Sequence, residues 1–222
     1  DRAAAAVVAA ETQHAAGVAL VRIAMTRTQH VAQGFRGQQR RVGIGALFSS
    51  TPRNASDGAL EQAKWPRSPL GFTCPWLKCD QCASDLIWPD AARASGLHGL
   101  VCGNSRCKRT IGPDALTLTR EQLVKVPPDI LFTTTEMVNQ RLSDLRMRHL
   151  FGVGMRPAKR PLMALLDEVH TYEGSSGAQA ALVLRRWRHL VDSPISWVGL
   201  SATLAEADRF FSELTGVAQE RV

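Results

Sequence analysis

Two groups of residues in this 222-residue chain have types and spacings that could do chemistry. The first is Asp167, Glu168 and His170 in LMALLDEVH (Leu162–His170), where an unbroken apolar run ends in two adjacent carboxylates and a histidine. A carboxylate pair at the end of a buried strand suits a divalent cation and an activated water. Asp167 is expected to hold Mg²⁺ through water, and Glu168 to polarise the attacking water of a nucleotide hydrolase. The plain alternative is a strand that simply ends in polar residues. The second group is five cysteines, Cys74, Cys79, Cys82, Cys102 and Cys107, inside one 34-residue window. Cys79-Asp80-Gln81-Cys82 and Cys102-Gly103-Asn104-Ser105-Arg106-Cys107 form two knuckles, 19 residues apart. Each knuckle presents a thiolate pair, and tetrahedral Zn²⁺ takes four. CPWLKC could pair Cys74 with Cys79 instead. The CxxC knuckle is the recurrent unit, which favours Cys79, Cys82, Cys102 and Cys107 as metal ligands and leaves Cys74 as a nearby buried thiol. His98 is either a substitute ligand or a loop residue. Four thiolates leave no open position for water, so the site reads as structural.

The elements that must position these residues follow from periodicity. Leu162–Leu166 has no alternation and reads as a strand buried on both faces, with ligands expected at its carboxyl end. Ala180, Leu184, Trp187 and Val191 make one apolar face of a helix entered through Gly174–Gly177. Ile195–Leu200 reads as a further buried strand ending in Ser201-Ala202-Thr203. Thr203 and Glu206 are expected to cap a last helix that Gly216 stops. Upstream, Ile130–Phe132 reads as a short strand. Thr133 and Glu136 form a capping-box pattern before a helix whose face carries Val138, Leu142 and Leu145. Thr119–Gln122 is a second such pattern, stopped by Pro127–Pro128, and Asp57–Lys64 reads as a short helix. Trp65–Phe72 reads as a loop. The first residues are Ala-rich and helix-favouring, followed by strand-like segments at Val18–Met25 and Arg40–Ser50. Strands alternating with helices give an α/β fold with a mostly parallel sheet flanked by helices and a four-cysteine zinc ribbon inserted in it.

Apolar residues make up 45% of the chain, enough for a buried core, and the formal net charge of +7 favours polyanionic partners. Six Lys or Arg residues fall in Arg141–Arg160 against one acid, Asp144. That segment is either a solvated loop or a surface lying near phosphates. No apolar stretch reaches membrane-spanning length. Clustered cysteines without a secretory signal point to a reducing, cytoplasmic setting. The chain opens on Asp1 without an initiator methionine and is expected to be cut from something longer. Trp76, Trp88 and Lys78 lie close enough to the knuckles to touch nucleic acid, although packing around a small metal core is the better reading for the tryptophans.

Three stretches stand in a telling order: FTTTEMVNQRL (Phe132–Leu142), DEVH (Asp167–His170) and SAT (Ser201–Thr203), with 30 residues between the last two. Together they resemble motifs Ib, II and III of the first RecA-like domain of superfamily 2 DExH/DEAD-box helicases. The phrasing around DEVH, with a four-cysteine insertion ahead of motif Ib, resembles helicases of bacterial phage-defence systems, including the DISARM type. The resemblance covers roughly residues 40–222. It implies that Asp167, Glu168 and His170 serve ATP hydrolysis with Mg²⁺, and that His170 links the nucleotide to motif III. It implies too that Ser201 and Thr203 couple hydrolysis to strand movement, and that Thr133, Thr134 and Thr135 meet the nucleic-acid backbone. Residues 1–71 would then be the N-terminal part of the RecA-like domain, 72–109 the zinc-ribbon insertion, and 110–222 the continuation of that domain. DNA is preferred over RNA through the phage-defence resemblance alone. Two family features are missing from these residues. There is no GxxxxGK[ST] to cradle the β- and γ-phosphates, and no second RecA-like domain, which is therefore an expected partner from the parent chain. Val18–Gln33 occupies the place of motif Ia but fits it loosely. The 222 residues alone are expected to hydrolyse ATP poorly or not at all. The rival readings are a non-catalytic zinc-ribbon module that binds nucleic acid, and a zinc-dependent hydrolase using Glu168 and His170. The second lacks an HExxH-type ligand pair.

Overall fold

The structure is a computed structural model, and it describes residues 6–10, 42–201 and 204–222. The strand-like stretch at Val18–Met25, the loose motif Ia at Val18–Gln33, and Thr203 all lie outside the described residues.

In chain order, the elements begin with β1 (Ala6–Ala10), β2 (Ile44–Leu47) and α1 (Asp57–Gln62). Then come β3 (Arg67–Ser68), β4 (Gly71–Lys78), β5 (Asp85–Pro89), α2 (Asp90–Ala94), β6 (Leu100–Cys102), β7 (Thr110–Ile111) and β8 (Leu116–Thr117). The rest are α3 (Arg120–Lys125), β9 (Ile130–Thr134), α4 (Thr135–Leu142), β10 (Met163–Leu166), α5 (Gly174–Val191), β11 (Ser196–Gly199) and α6 (Ala207–Thr215). One sheet has six strands in the order β11-β10-β1-β9-β2-β8, and the other five in the order β3-β4-β5-β6-β7. The described pairs of the first sheet, β1–β10, β10–β11 and β2–β8, are parallel. Those of the second are antiparallel. The α/β class with a mostly parallel sheet and a cysteine-bearing insert is as the patterning implies.

The described residues fall into two compact units. One contains β1 and residues 133–222 as described. Within the Ala-rich start, Ala6–Ala10 is a strand and not the expected helix. Val7 and Val8 are β-branched, and they pair with Ala164 and Leu165 of β10, both valines being buried. Burial between neighbouring strands outweighs alanine's weak helical preference. In β10 itself Ala164 and Leu166 are buried while Met163 is exposed, and Leu162 before it is 70% exposed. The strand is therefore covered mainly at its carboxyl end rather than on both faces throughout. β11 is half-exposed, not buried, because it is the terminal strand in the order of its sheet.

Helix α5 buries Ala180, Leu184, Trp187 and Val191, the four positions its 3.6-residue period selects. Trp187 is fully buried, its ring meets Phe151 and Trp197 edge-on, and its indole N–H donates to the Phe151 carbonyl at 2.8 Å. Trp187→Ala removes that packing and orphans the carbonyl. It is expected to destabilise the unit by about 3–5 kcal/mol, read from the midpoint of urea unfolding.

Helix α4 starts one residue later than the capping box implied. Thr134, not Thr133, is its N-cap, accepting from the Met137 amide at 3.2 Å. Glu136 accepts from Gln140 instead of reaching back to the cap. Three consecutive threonines can all cap, so the end of β9 decides which one does. The helix stops at Leu142, and Leu145 is exposed rather than on its buried face. Helix α6 ends as expected, with Gly216 in the left-handed region at φ +71°. Its N-cap is Glu206, whose side chain makes no capping bond.

The other unit holds residues 42–132 as described. Thr119 caps α3 by accepting from the Gln122 amide at 3.3 Å, as the TREQ pattern requires, and Ser56 caps α1. The stretch Trp65–Phe72 is not a plain loop, since it contains β3 and the start of β4. Phe48, Trp65, Trp76 and Trp88 form a chain of ring contacts with centroids 6.0–6.3 Å apart. Trp76 and Trp88 are thus core residues, and Lys78 pairs with Asp85.

Candidate carboxylate and thiolate sites

The backbone fixes the DEVH segment at the carboxyl end of β10. The Asp167 amide donates to Ala9 O at 3.0 Å, the Val169 amide to Leu200 O at 2.8 Å, and the Leu200 amide to Leu166 O at 2.9 Å. The chain then turns sharply. Glu168 sits in the left-handed region at φ 49°, ψ 50°, followed by a 3₁₀ turn over Val169–Thr171. A glutamate there is uncommon and costs strain, which the surrounding bonds must hold. The turn swings His170 back toward β11. Its Nδ1 lies 3.2 Å from Ser201 Oγ and 3.4 Å from a Glu168 carboxylate oxygen. Three of the residues singled out from the sequence are thus brought together by the parallel register of β10 and β11, which aligns Leu166 with Gly199.

Asp167 is half-buried beside them. Burial pushes its carboxyl up from the ordinary range, the Glu168 amide opposes that, and the Glu168 charge adds to it. A carboxyl raised by folding contributes stability that is full below its unfolded value and lost as pH rises through the folded one. Asp167→Asn keeps the uncharged form at every pH. In a chelator it is expected to raise the melting temperature at neutral pH and to leave it unchanged well below the carboxylate range. Thermal melts across pH check this.

Of the three threonines, Thr133 and Thr134 are buried, and the Thr134 hydroxyl is engaged as the cap of α4. Only Thr135 is partly open to solvent. A cleft of about 1460 Å³ runs along β11, with Val169, Ser201, Trp197, Phe211, Arg185 and Arg188 among its walls.

The second site is built on the antiparallel sheet. Cys79 follows β4, Cys82 lies in the turn before β5, Cys102 ends β6 and Cys107 follows in the next loop. Their four sulfurs lie within 4.8 Å of one another, the closeness a single tetrahedral ion demands. Cys82 and Cys102 are 3.4 Å apart, Cys79 and Cys107 3.8 Å. Cys74 is buried and outside the cluster, its thiol pushed up to about 12 by burial, so it is inert. Hydrogen bonds from Ser84 hold Cys82 down to about 6, while burial pushes Cys102 up to about 12. A coordinated divalent cation deprotonates all four. The donor set of four thiolates fits Zn²⁺. His98 does not join it but stacks on Trp88 at 5.0 Å. A bond the sequence reading missed ties the knuckles: Arg109 Nε donates to Asp80 at 2.9 Å. The signal was an acid inside one knuckle and an arginine two residues beyond the other.

No family model matches the chain. Part of it is 36% identical over 98 residues to the Lhr helicase/uracil glycosylase of Escherichia coli K12, a match spanning 44% of this chain. It is 30% identical over 115 residues to the Druantia protein DruE of E. coli strain UMEA 4076-1, spanning 47% of this chain. It is 32% identical over 100 residues to the Lhr helicase/probable uracil glycosylase of Mycolicibacterium smegmatis, spanning 45%. Each match spans only 6% of the relative's own length. Among solved structures, Mycobacterium smegmatis helicase Lhr bound to ssDNA and AMP-PNP is similar over 98% of this chain and 19% of that one. The TM-score there is 0.47 at 17% identity. The DUF1998 helicase MrfA bound to DNA and AMPPNP is similar over 96% of this chain and 24% of that one, with TM-score 0.38 at 16% identity.

Proposed function

We propose that this chain is part of an ATP-dependent DNA helicase or translocase, to which it contributes the metal-binding, water-activating and coupling residues. The observation that carries this reading is the meeting of His170 with Ser201 and Glu168 at the carboxyl ends of adjacent parallel strands. A strand that merely ended in polar residues would have no reason to bring these three together across 30 intervening residues. The local identity to Lhr helicases supports the same class. In this reading Asp167 orients Mg²⁺ through water and Glu168 accepts a proton from the water that attacks the γ-phosphate of ATP. His170 and Ser201 relay the state of that site to β11, with Thr203 as a further coupling residue. Of Thr133, Thr134 and Thr135, the last is partly open to solvent and is our first candidate for a phosphate contact, while the Thr134 hydroxyl caps α4.

The phosphate-binding loop and a second RecA-like domain belong to the parent chain in this proposal. Residues 1–71 and 110–222 form the RecA-like domain, and 72–109 the zinc ribbon with Zn²⁺ on Cys79, Cys82, Cys102 and Cys107. DNA is the nucleic acid favoured, and the cytoplasm the compartment. The narrower reading, a helicase of a phage-defence system of DISARM type, rests on the sequence phrasing around DEVH. The experiment is ATP hydrolysis by the full-length parent with and without single-stranded DNA. Stimulated turnover that Glu168→Gln abolishes is expected, and DNA binding with no ATPase at all would favour the non-catalytic zinc-ribbon module instead.

A further inference from the structure

The four cysteines differ sharply in access. Cys79 and Cys102 are buried and Cys107 is half-buried, while Cys82 is exposed on the turn between β4 and β5. Across the knuckles, 3.4 Å separates the sulfurs of Cys82 and Cys102. The remaining two, Cys79 and Cys107, are 3.8 Å apart. Both of these short separations cross from one knuckle to the other. Oxidants attack cysteines that are both thiolate in character and accessible. Zinc makes all four thiolates, Cys82 is the most exposed of them, and its neighbour across the knuckles is already close. A disulfide requires this 3.4 Å gap to close to about 2.05 Å.

We propose that Cys82 is an oxidation site through which a peroxide joins Cys82 to Cys102 and discharges the metal. The Cys82 sulfur attacks one peroxide oxygen, the O–O bond breaks, and hydroxide leaves, giving a sulfenic acid. The Cys102 thiolate then attacks the Cys82 sulfur, the S–S bond forms, the S–O bond breaks, and a second hydroxide leaves. Two protons from solvent turn both hydroxides into water. The two sulfurs together lose two electrons, which reduce the peroxide, and zinc stays Zn²⁺ throughout. It is left with only Cys79 and Cys107, too few thiolates to retain it. Cys74 takes no part, because it is buried outside the cluster.

This inference rests on the zinc reading of the cluster, and the experiment separates the two. Purified full-length chain is first assayed for metal, which tests that reading by itself. It is then titrated with hydrogen peroxide while zinc release is followed with a chromogenic chelator and disulfides are mapped on non-reduced peptides. The expected result is a Cys82–Cys102 crosslink that appears in step with zinc release and is reversed by thiol reductant. Cys74→Ser is expected to change neither. Cys82→Ser is expected to lose the crosslink. A first crosslink of Cys79 to Cys82, or one involving Cys74, would overturn the proposal. Zinc retained with Cys82 unmodified would do so as well. Because the crosslink is mapped in the native chain, the result stands even where Cys82→Ser fails to fold.

Discussion

Replacing Glu168, the proposed general base, by glutamine in the proposed full-length helicase is expected to lower DNA-stimulated ATP turnover by about 100- to 10,000-fold, the range a positioned general base supplies. ATP binding should remain largely intact. The substitution removes a charge and a proton acceptor but hardly alters volume, and the side chain is half open to solvent. Folding should therefore survive, and the loss should appear in kcat and not in nucleotide affinity. One subtlety follows from the contact with His170 at 3.4 Å. Glutamine replaces the carboxylate that faces His170 with an amide, so the proposed coupling through Ser201 should weaken together with hydrolysis. Measured side by side, nucleotide affinity, steady-state turnover and strand displacement distinguish these effects. A turnover rate equal to the native one would remove Glu168 from the chemistry.

The second large effect concerns the cysteine cluster. Metal analysis should find about one zinc per chain, and stripping it should unfold the antiparallel sheet. Structural zinc in small modules supplies roughly 10–16 kcal/mol of apparent binding free energy at neutral pH, which is free energy of folding. Between the knuckles the structure places the Arg109–Asp80 pair and a Cys107–Gln81 contact, and β6 and β7 are short. Trp76 on β4 and Trp88 on β5 lie in the same ring chain as Trp65. Loss of the sheet should therefore shift tryptophan emission to the red. Cys102→Ser should reproduce the change without chelator, since Cys102 is a buried member of the set. Unchanged emission and melting after verified loss of metal would show that the apolar core alone holds the sheet.

The two sites differ in how far they could be read from the chain. The clustered cysteines are close in sequence within each knuckle, so spacing alone picked out Cys79, Cys82, Cys102 and Cys107, and Cys74 proved to be the buried outsider. The buried face of α5 was equally legible, because one helix in contact with one core has a single period. Errors fell where a neighbour not adjacent in sequence makes the decision. Ala6–Ala10 became a strand because β10 supplies its partner. Among Thr133, Thr134 and Thr135, the cap was set by where β9 lets go, and that placement buried two hydroxyls expected at the surface.

The DEVH segment shows both sides of this at once. Local residue chemistry by itself determined that Asp167 and Glu168 would end a strand, since an apolar run followed by carboxylates leaves little else. It also supplied SAT 30 residues further on, together with the helix that fills the gap. Only the tertiary structure decided that His170 faces Ser201. That contact depends on the parallel register of β10 and β11 and on the left-handed turn at Glu168. Register is fixed by strand pairing and by a backbone conformation that no glycine announces, and neither leaves a mark in composition or period.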